Sequence, residues 1–160
     1  MRNRVGALSL VVLSSCAVIQ RASITPNGEP DGASVEAALN GSGTVVAFVS
    51  TATNLVSGDT NGVADVFIRD ATDQVSRVSV SNAGGEADGP SSHPSVSSDG
   101  RNVAFQSDAT NLVAGDTNAT TDVFVRDRIA NTTTLVSVAA PGAPASSGSS
   151  APVSTGASRV

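Results

Sequence analysis

The chain has no Trp, no Tyr and no Lys, and its 160 residues include one Cys, one His and four Phe. Each scarcity excludes something. A single Cys cannot close an intramolecular disulfide, so no covalent staple is available within the chain. The lone His93 has no Cys near it in sequence and cannot assemble the usual zinc ligand set. Any Ser-His-Asp arrangement would depend on that same residue, and no Gly-x-Ser-x-Gly elbow is present. His93 is therefore read as a surface or inter-strand residue. All nine basic residues are Arg, set against fourteen acids for a net charge of −5. Without a basic patch and interleaved aromatics, nucleic acid is not an expected partner.

What the chain does have is Gly, Ser, Thr, Ala and Val, with 39% hydrophobic residues but only 2% aromatic. β-branched residues suit a pleated surface, and Gly, Asn, Asp and Ser suit the corners between strands. The composition predicts an all-β fold of short strands.

At the N-terminus, Arg2 and Arg4 precede a short apolar run, Val5 to Leu13. That run is well below the roughly 20 residues needed to cross a bilayer as a helix, and it reads as an export signal. It ends in Leu13-Ser14-Ser15-Cys16, which resembles the lipobox of bacterial lipoproteins. The resemblance implies a signal peptide over 1–15, lipidation of Cys16, and a short tether over 16–20. Ala17 after the Cys points, by the same resemblance, to the outer membrane. An ordinary secretory signal is the other reading. Loss of Arg2 and Arg4 would take the mature charge to −5 − 2 = −7.

A tandem repeat organises the remainder. Val46 to Asp70 and Val103 to Asp127, offset by 103 − 46 = 57 positions, share 18 of 25 residues. Ala52 to Asp70 reads ATNLVSGDTNGVADVFIRD and Ala109 to Asp127 reads ATNLVAGDTNATTDVFVRD. Such periodicity marks units that stack on their own kind. Each repeat reads as a four-stranded antiparallel meander. The expected strands are Ala37 to Asn40, Thr44 to Ser50, Asp65 to Arg69 and Arg77 to Ser81. Their copies are Pro94 to Ser97, Asn102 to Ser107, Asp122 to Arg126 and Leu135 to Ala139. Arg21 to Thr25 has the pattern of a further closing strand.

The stretch from Pro94 to Phe105, Pro-Ser-Val-Ser-Ser-Asp-Gly-Arg-Asn-Val-Ala-Phe, resembles the WD-like β-propeller repeat of the TolB family. Val96 stands where that pattern has an aromatic and Ser98 where it has Pro; the first copy, Gly41-Ser42-Gly43, has lost the Asp as well. The resemblance implies blades of a β-propeller, about two of them with partial strands at each end. It divides the chain into a closing strand of a preceding blade (21–27), repeat 1 (28–84), repeat 2 (85–140) and a Gly/Pro/Ser/Ala-rich link opening a third repeat (141–160). A closed ring needs typically 4 to 8 blades, so the propeller over 21–160 is expected to be incomplete, with truncation the favoured explanation. Phe48, Phe67, Phe105 and Phe124 are expected to pack between blades, and exposed blade faces to allow self-association.

The polar centre of each copy supplies the one candidate site. Asp59, Asn61 and Asp65, with Asp116, Asn118 and Asp122 in the second copy, are spaced like the oxygen ligands of short calcium loops. Ala119 replaces Gly62 in the second copy and should make the sharp turn harder. The same residues can instead bond neighbouring N–H groups in Asx-turns. Arg69 and Arg126 are expected to pair with Asp70 and Asp127 or with the neighbouring blade.

The sequence thus points to a non-catalytic binding or scaffold module of the cell envelope, periplasmic or outer-membrane-anchored through Cys16, or else secreted. A protein or an envelope polymer is the expected partner, and the membrane is contacted only through the lipid. The alternatives are an accessory propeller of an exported hydrolase or peptidase, and a calcium-stabilised repeat scaffold.

Overall fold

A computed structural model describes residues 21–25 and 28–138. The export signal, Cys16 and the 141–160 link lie outside these residues. Among the described residues there is no helix, and eight strands form two four-stranded antiparallel sheets. The first sheet is β1 (Ser34–Leu39), β2 (Val46–Ser50), β3 (Asp65–Arg69) and β4 (Val75–Arg77), each hydrogen-bonded to the next in chain order. The second repeats this order with β5 (Ser91–Val96), β6 (Asn102–Ser107), β7 (Asp122–Asp127) and β8 (Thr132–Leu135). The two sheets do not close into a barrel or ring, and they match successive blades of an incomplete propeller.

The first strand of each repeat starts three residues earlier than its alternation predicts. A β-bulge at Glu36 and its copy at His93, with φ of 53° and 51°, shifts the register against β2 and β6. The extra residue breaks period two, so only the half after the bulge is legible as a strand. Across the blade boundary, the His93 N–H donates to Glu36 Oε2 at 2.7 Å.

The closing strands also differ from expectation, because β4 ends at Arg77 and β8 at Leu135. Beyond them the alternating residues leave the ladder. Ser79 Oγ accepts from Val66 N–H at 3.1 Å and donates to Asp65 at 2.5 Å; Ser137 does the same for Val123 (3.0 Å) and Asp122 (2.5 Å). A hydroxyl takes the place of a backbone carbonyl, so the segment looks like a strand in sequence but is not one. Arg21 to Thr25 forms no strand either; only Thr25 bridges to Gly28.

The shared core lies between the sheets. Ala47, Val49, Val66 and Ile68 of the first sheet meet Val103, Phe105 and Phe124 of the second. Burying each large apolar side chain contributes about 1.5–3 kcal/mol. Phe105 and Phe124 stack across β6 and β7 with centroids 5.8 Å apart. Phe48 and Phe67 stack equally, at 5.9 Å, but belong to a separate cluster with Ala52 and Leu55, packed by Ala22, Val56 and Val75. This corrects the expectation that all four rings lie between blades. Each repeat turns its Phe pair towards the preceding unit, and for repeat 1 the N-terminal arm occupies part of that position. Both rings are at most 2% exposed.

Candidate functional site

The two Gly-Asp-Thr-Asn loops leave β2 and β6 and return into β3 and β7, and the links between repeats fasten them. In the first repeat, Asp31 accepts from Thr53 N–H and Oγ1, both at 2.7 Å, while Asn54 Nδ2 donates to Glu29 O at 2.9 Å. Asp88 accepts likewise from Thr110 at 2.7 and 2.8 Å, and Asn111 Nδ2 donates to Glu86 O at 2.8 Å. The threonine hydrogen bonds hold both carboxyls below the usual range. This contact needs Gly next to the Asp. A Cβ on Gly32 would lie 2.5 Å from Ala52 N, and one on Gly89 2.8 Å from Asp108 C.

Within the first loop, the three residues expected to bind calcium do come together, around a guanidinium. Arg77 Nη1 lies 3.3 Å from Asp59, 3.5 Å from Asp65 Oδ2 and 2.6 Å from Glu86. Asn61 Nδ2 donates to Asp65 Oδ2 at 2.8 Å and to Ala87 O at 3.0 Å. Glu86 also accepts from Thr60 N–H at 2.8 Å and Oγ1 at 2.5 Å. These Thr60 contacts, followed by Arg77, lower its carboxyl to about 2. Burial raises the Asp59 carboxyl, against the pull of Arg77. Neither Arg77 nor Glu86 was singled out by sequence reasoning. Arg77 lies in a segment read for its alternation, and Glu86 comes from the next repeat's link.

The second loop has the same backbone and a different interior. Ala119 adopts φ 51° where Gly62 has 68°, so the left-handed turn persists despite the substitution. Asp122 Oδ1 accepts from Ser137 as Asp65 does from Ser79, but Asp122 Oδ2 is buried with no hydrogen-bond partner among the described residues. Thr120 Oγ1 is likewise buried and unpaired. Asn118 caps the turn, accepting from Thr120 N–H at 3.1 Å. Burial, and then the charge of Asp122, raise the Asp116 carboxyl. Arg77 pairs in register with Phe67, and the residue paired with Phe124 is Leu135. Among the described residues, no group of three or more His, Cys, Asp or Glu side chains is placed to hold a metal ion.

The other arginines depart from expectation. Arg69 pairs with Asp73 at 2.5 Å rather than with Asp70, and donates to Arg21 O at 2.7 Å. Among the described residues Arg126 makes no ion pair, and it donates to Asn131 O at 2.9 Å and to Thr133 Oγ1 at 3.2 Å. The reason is local: Asp73 and Asn131 hold corresponding left-handed positions, φ 65° and 56°, in the β3–β4 and β7–β8 turns. Asp127 instead takes a two-pronged contact from Arg101, at 2.9 Å from Nε and 2.6 Å from Nη2. Asp70 faces Arg128 of the other blade at 3.8 Å. His93 is exposed, with Nδ1 2.9 Å from Ser92 Oγ.

No family model and no curated protein matches the chain. Among solved structures it is similar to TolB from Acinetobacter baumannii, at 13% identity and a TM-score of 0.25, over 66% of this chain and 32% of that one. The chain therefore spans about a third of that protein's length.

Proposed function

We propose that the chain is a non-catalytic β-propeller binding or scaffold module of the cell envelope, exported by its N-terminal segment and held there by a lipid on Cys16. One observation supports this above the others. Outside the Gly-Asp-Thr-Asn loops, polar residues that the two repeats share are engaged in building the blades: Asp31 and Asp88 fasten Thr53 and Thr110, and Ser79 and Ser137 replace ladder carbonyls. Their recurrence is a recurrence of packing, and it leaves the exposed loop tips to meet a protein or envelope polymer. A photocrosslinker at the exposed Ser57 or Ala114 tests this in cells. The expected result is a discrete envelope adduct from both tips and membrane fractionation that Cys16→Ser abolishes. The absence of any adduct from either tip would sink the binding reading, and unchanged fractionation of Cys16→Ser would sink the anchor.

A further inference from the structure

We propose that the loop from Asp116 to Asp122 is a calcium site, and that Arg77 fills the corresponding position of the first loop as a built-in cation. The two loops share their strands, their left-handed turn and the serine bound to the terminal Asp, so their interiors can be compared atom by atom. In the first, Asp65 Oδ2 is met by Asn61 Nδ2 at 2.8 Å and Arg77 Nη1 at 3.5 Å. In the second, both partners are gone. Leu135 takes the strand position of Arg77 and packs on the shared core, and Asp122 Oδ2 is left without a donor on a residue only 2% exposed.

A buried carboxylate oxygen with no donor is costly, and a second carboxylate beside it makes it more so. The serine holds Oδ1 in both repeats, which leaves Oδ2 as the other oxygen of each carboxylate, and in the first loop that oxygen faces Asn61 and Arg77. In the second it stands near enough to Asp116 for the two carboxylate charges to act on each other. The two side chains brought together here offer only carboxylate oxygen. Such a set suits a hard cation, and calcium completes 6 to 8 ligands with loop carbonyls and water where zinc would seek His or Cys. Asn61 and Asn118 cap their turns alike, accepting from Val63 N–H at 3.2 Å and Thr120 N–H at 3.1 Å, but only the Asn61 amide reaches the terminal Asp; Asp122 Oδ2 stays free of an amide.

Calorimetric titration of the full chain with calcium chloride, after removal of metal by EDTA, tests the assignment. The expected result is one ion per chain, with Kd on the order of 0.1–1 mM as for other extracellular modules. Melting should rise by about 5–10 °C at a hundredfold excess over Kd. Asp122→Asn, isosteric and still able to accept from Ser137, should lose this binding at least tenfold. Leu135→Arg should lose it too, and Asp59→Asn should leave it unchanged. Should Leu135→Arg fail to fold, Asp122→Asn decides alone. No heat and no melting shift at about 10 mM calcium, binding that survives Asp122→Asn, or binding lost in Asp59→Asn would each overturn the proposal.

Discussion

Glu86, from the link that opens the second repeat, accepts hydrogen bonds from both Thr60 N–H and Thr60 Oγ1 in the loop of the first, at 2.8 and 2.5 Å. The same carboxylate meets Arg77 Nη1 at 2.6 Å, and Asp59 lies 3.3 Å from that same nitrogen. One side chain therefore ties the link, the loop and the closing strand of two successive units. Its carboxyl lies at about 2 in the fold against an ordinary 4.5. A depressed folded value means that the contribution is complete above the ordinary value and is lost as pH falls through the folded one. Glu86→Gln should be less stable than the parent by about 1.5–3 kcal/mol at neutral pH. The gap should narrow below pH 4.5 and close near pH 2. Urea denaturation of both proteins from pH 7 to pH 2 measures it, and a gap independent of pH would contradict the ionised contact.

Gly89 presents a steric prediction of a different kind. A methyl there would sit 2.8 Å from Asp108 C and 2.9 Å from Ala109 N, both backbone atoms that cannot rotate away. Gly89→Ala should push the link off the loop and loosen the Asp88–Thr110 contact, at a cost of about 1–3 kcal/mol. Gly85→Ala is the control, since its nearest atom is the movable Ser81 Oγ at 3.3 Å. It should stay within about 0.5 kcal/mol of the parent. Equal midpoints for the two variants in urea would refute the close approach.

The meander of each repeat was legible because Val-Ala-Phe and Asp-Val-Phe keep period two on strands that pair in register. The strand ends were not. Glu36 and His93 insert a bulged residue that removes alternation, and Ser79 and Ser137 keep alternation where the ladder has stopped. Periodicity reports which face a side chain takes, and it is silent on whether a carbonyl or a hydroxyl receives the neighbouring N–H. The carboxylates and amides of the two loops could be named from their spacing alone. Their inequality could not, because it rests on Arg77 and Leu135, which come from a strand that the spacing does not include. Arg69 misled for a related reason: adjacency in sequence suggested Asp70, and the left-handed residue Asp73 brings its own carboxylate to the guanidinium.

Ala119 tests how firmly the second loop holds its turn. It lies at φ 51° in an exposed position, where its copy Gly62 adopts 68° with open space around it. A Cβ in the left-handed region costs roughly 1–2 kcal/mol. Replacing it with Gly relieves that cost but returns about 0.4–1 kcal/mol of freedom to the unfolded chain. Ala119→Gly should therefore stabilise the protein by about 0.6–1 kcal/mol, the difference between the two. Gly62→Ala should destabilise it by a similar amount for the reverse reason. Both are to be measured by urea midpoint in EDTA, so that no ion bound at the loop contributes. Opposite signs at the two positions are the expected outcome. Destabilisation by Ala119→Gly would mean that the second turn is right-handed and that the two loops do not share a backbone.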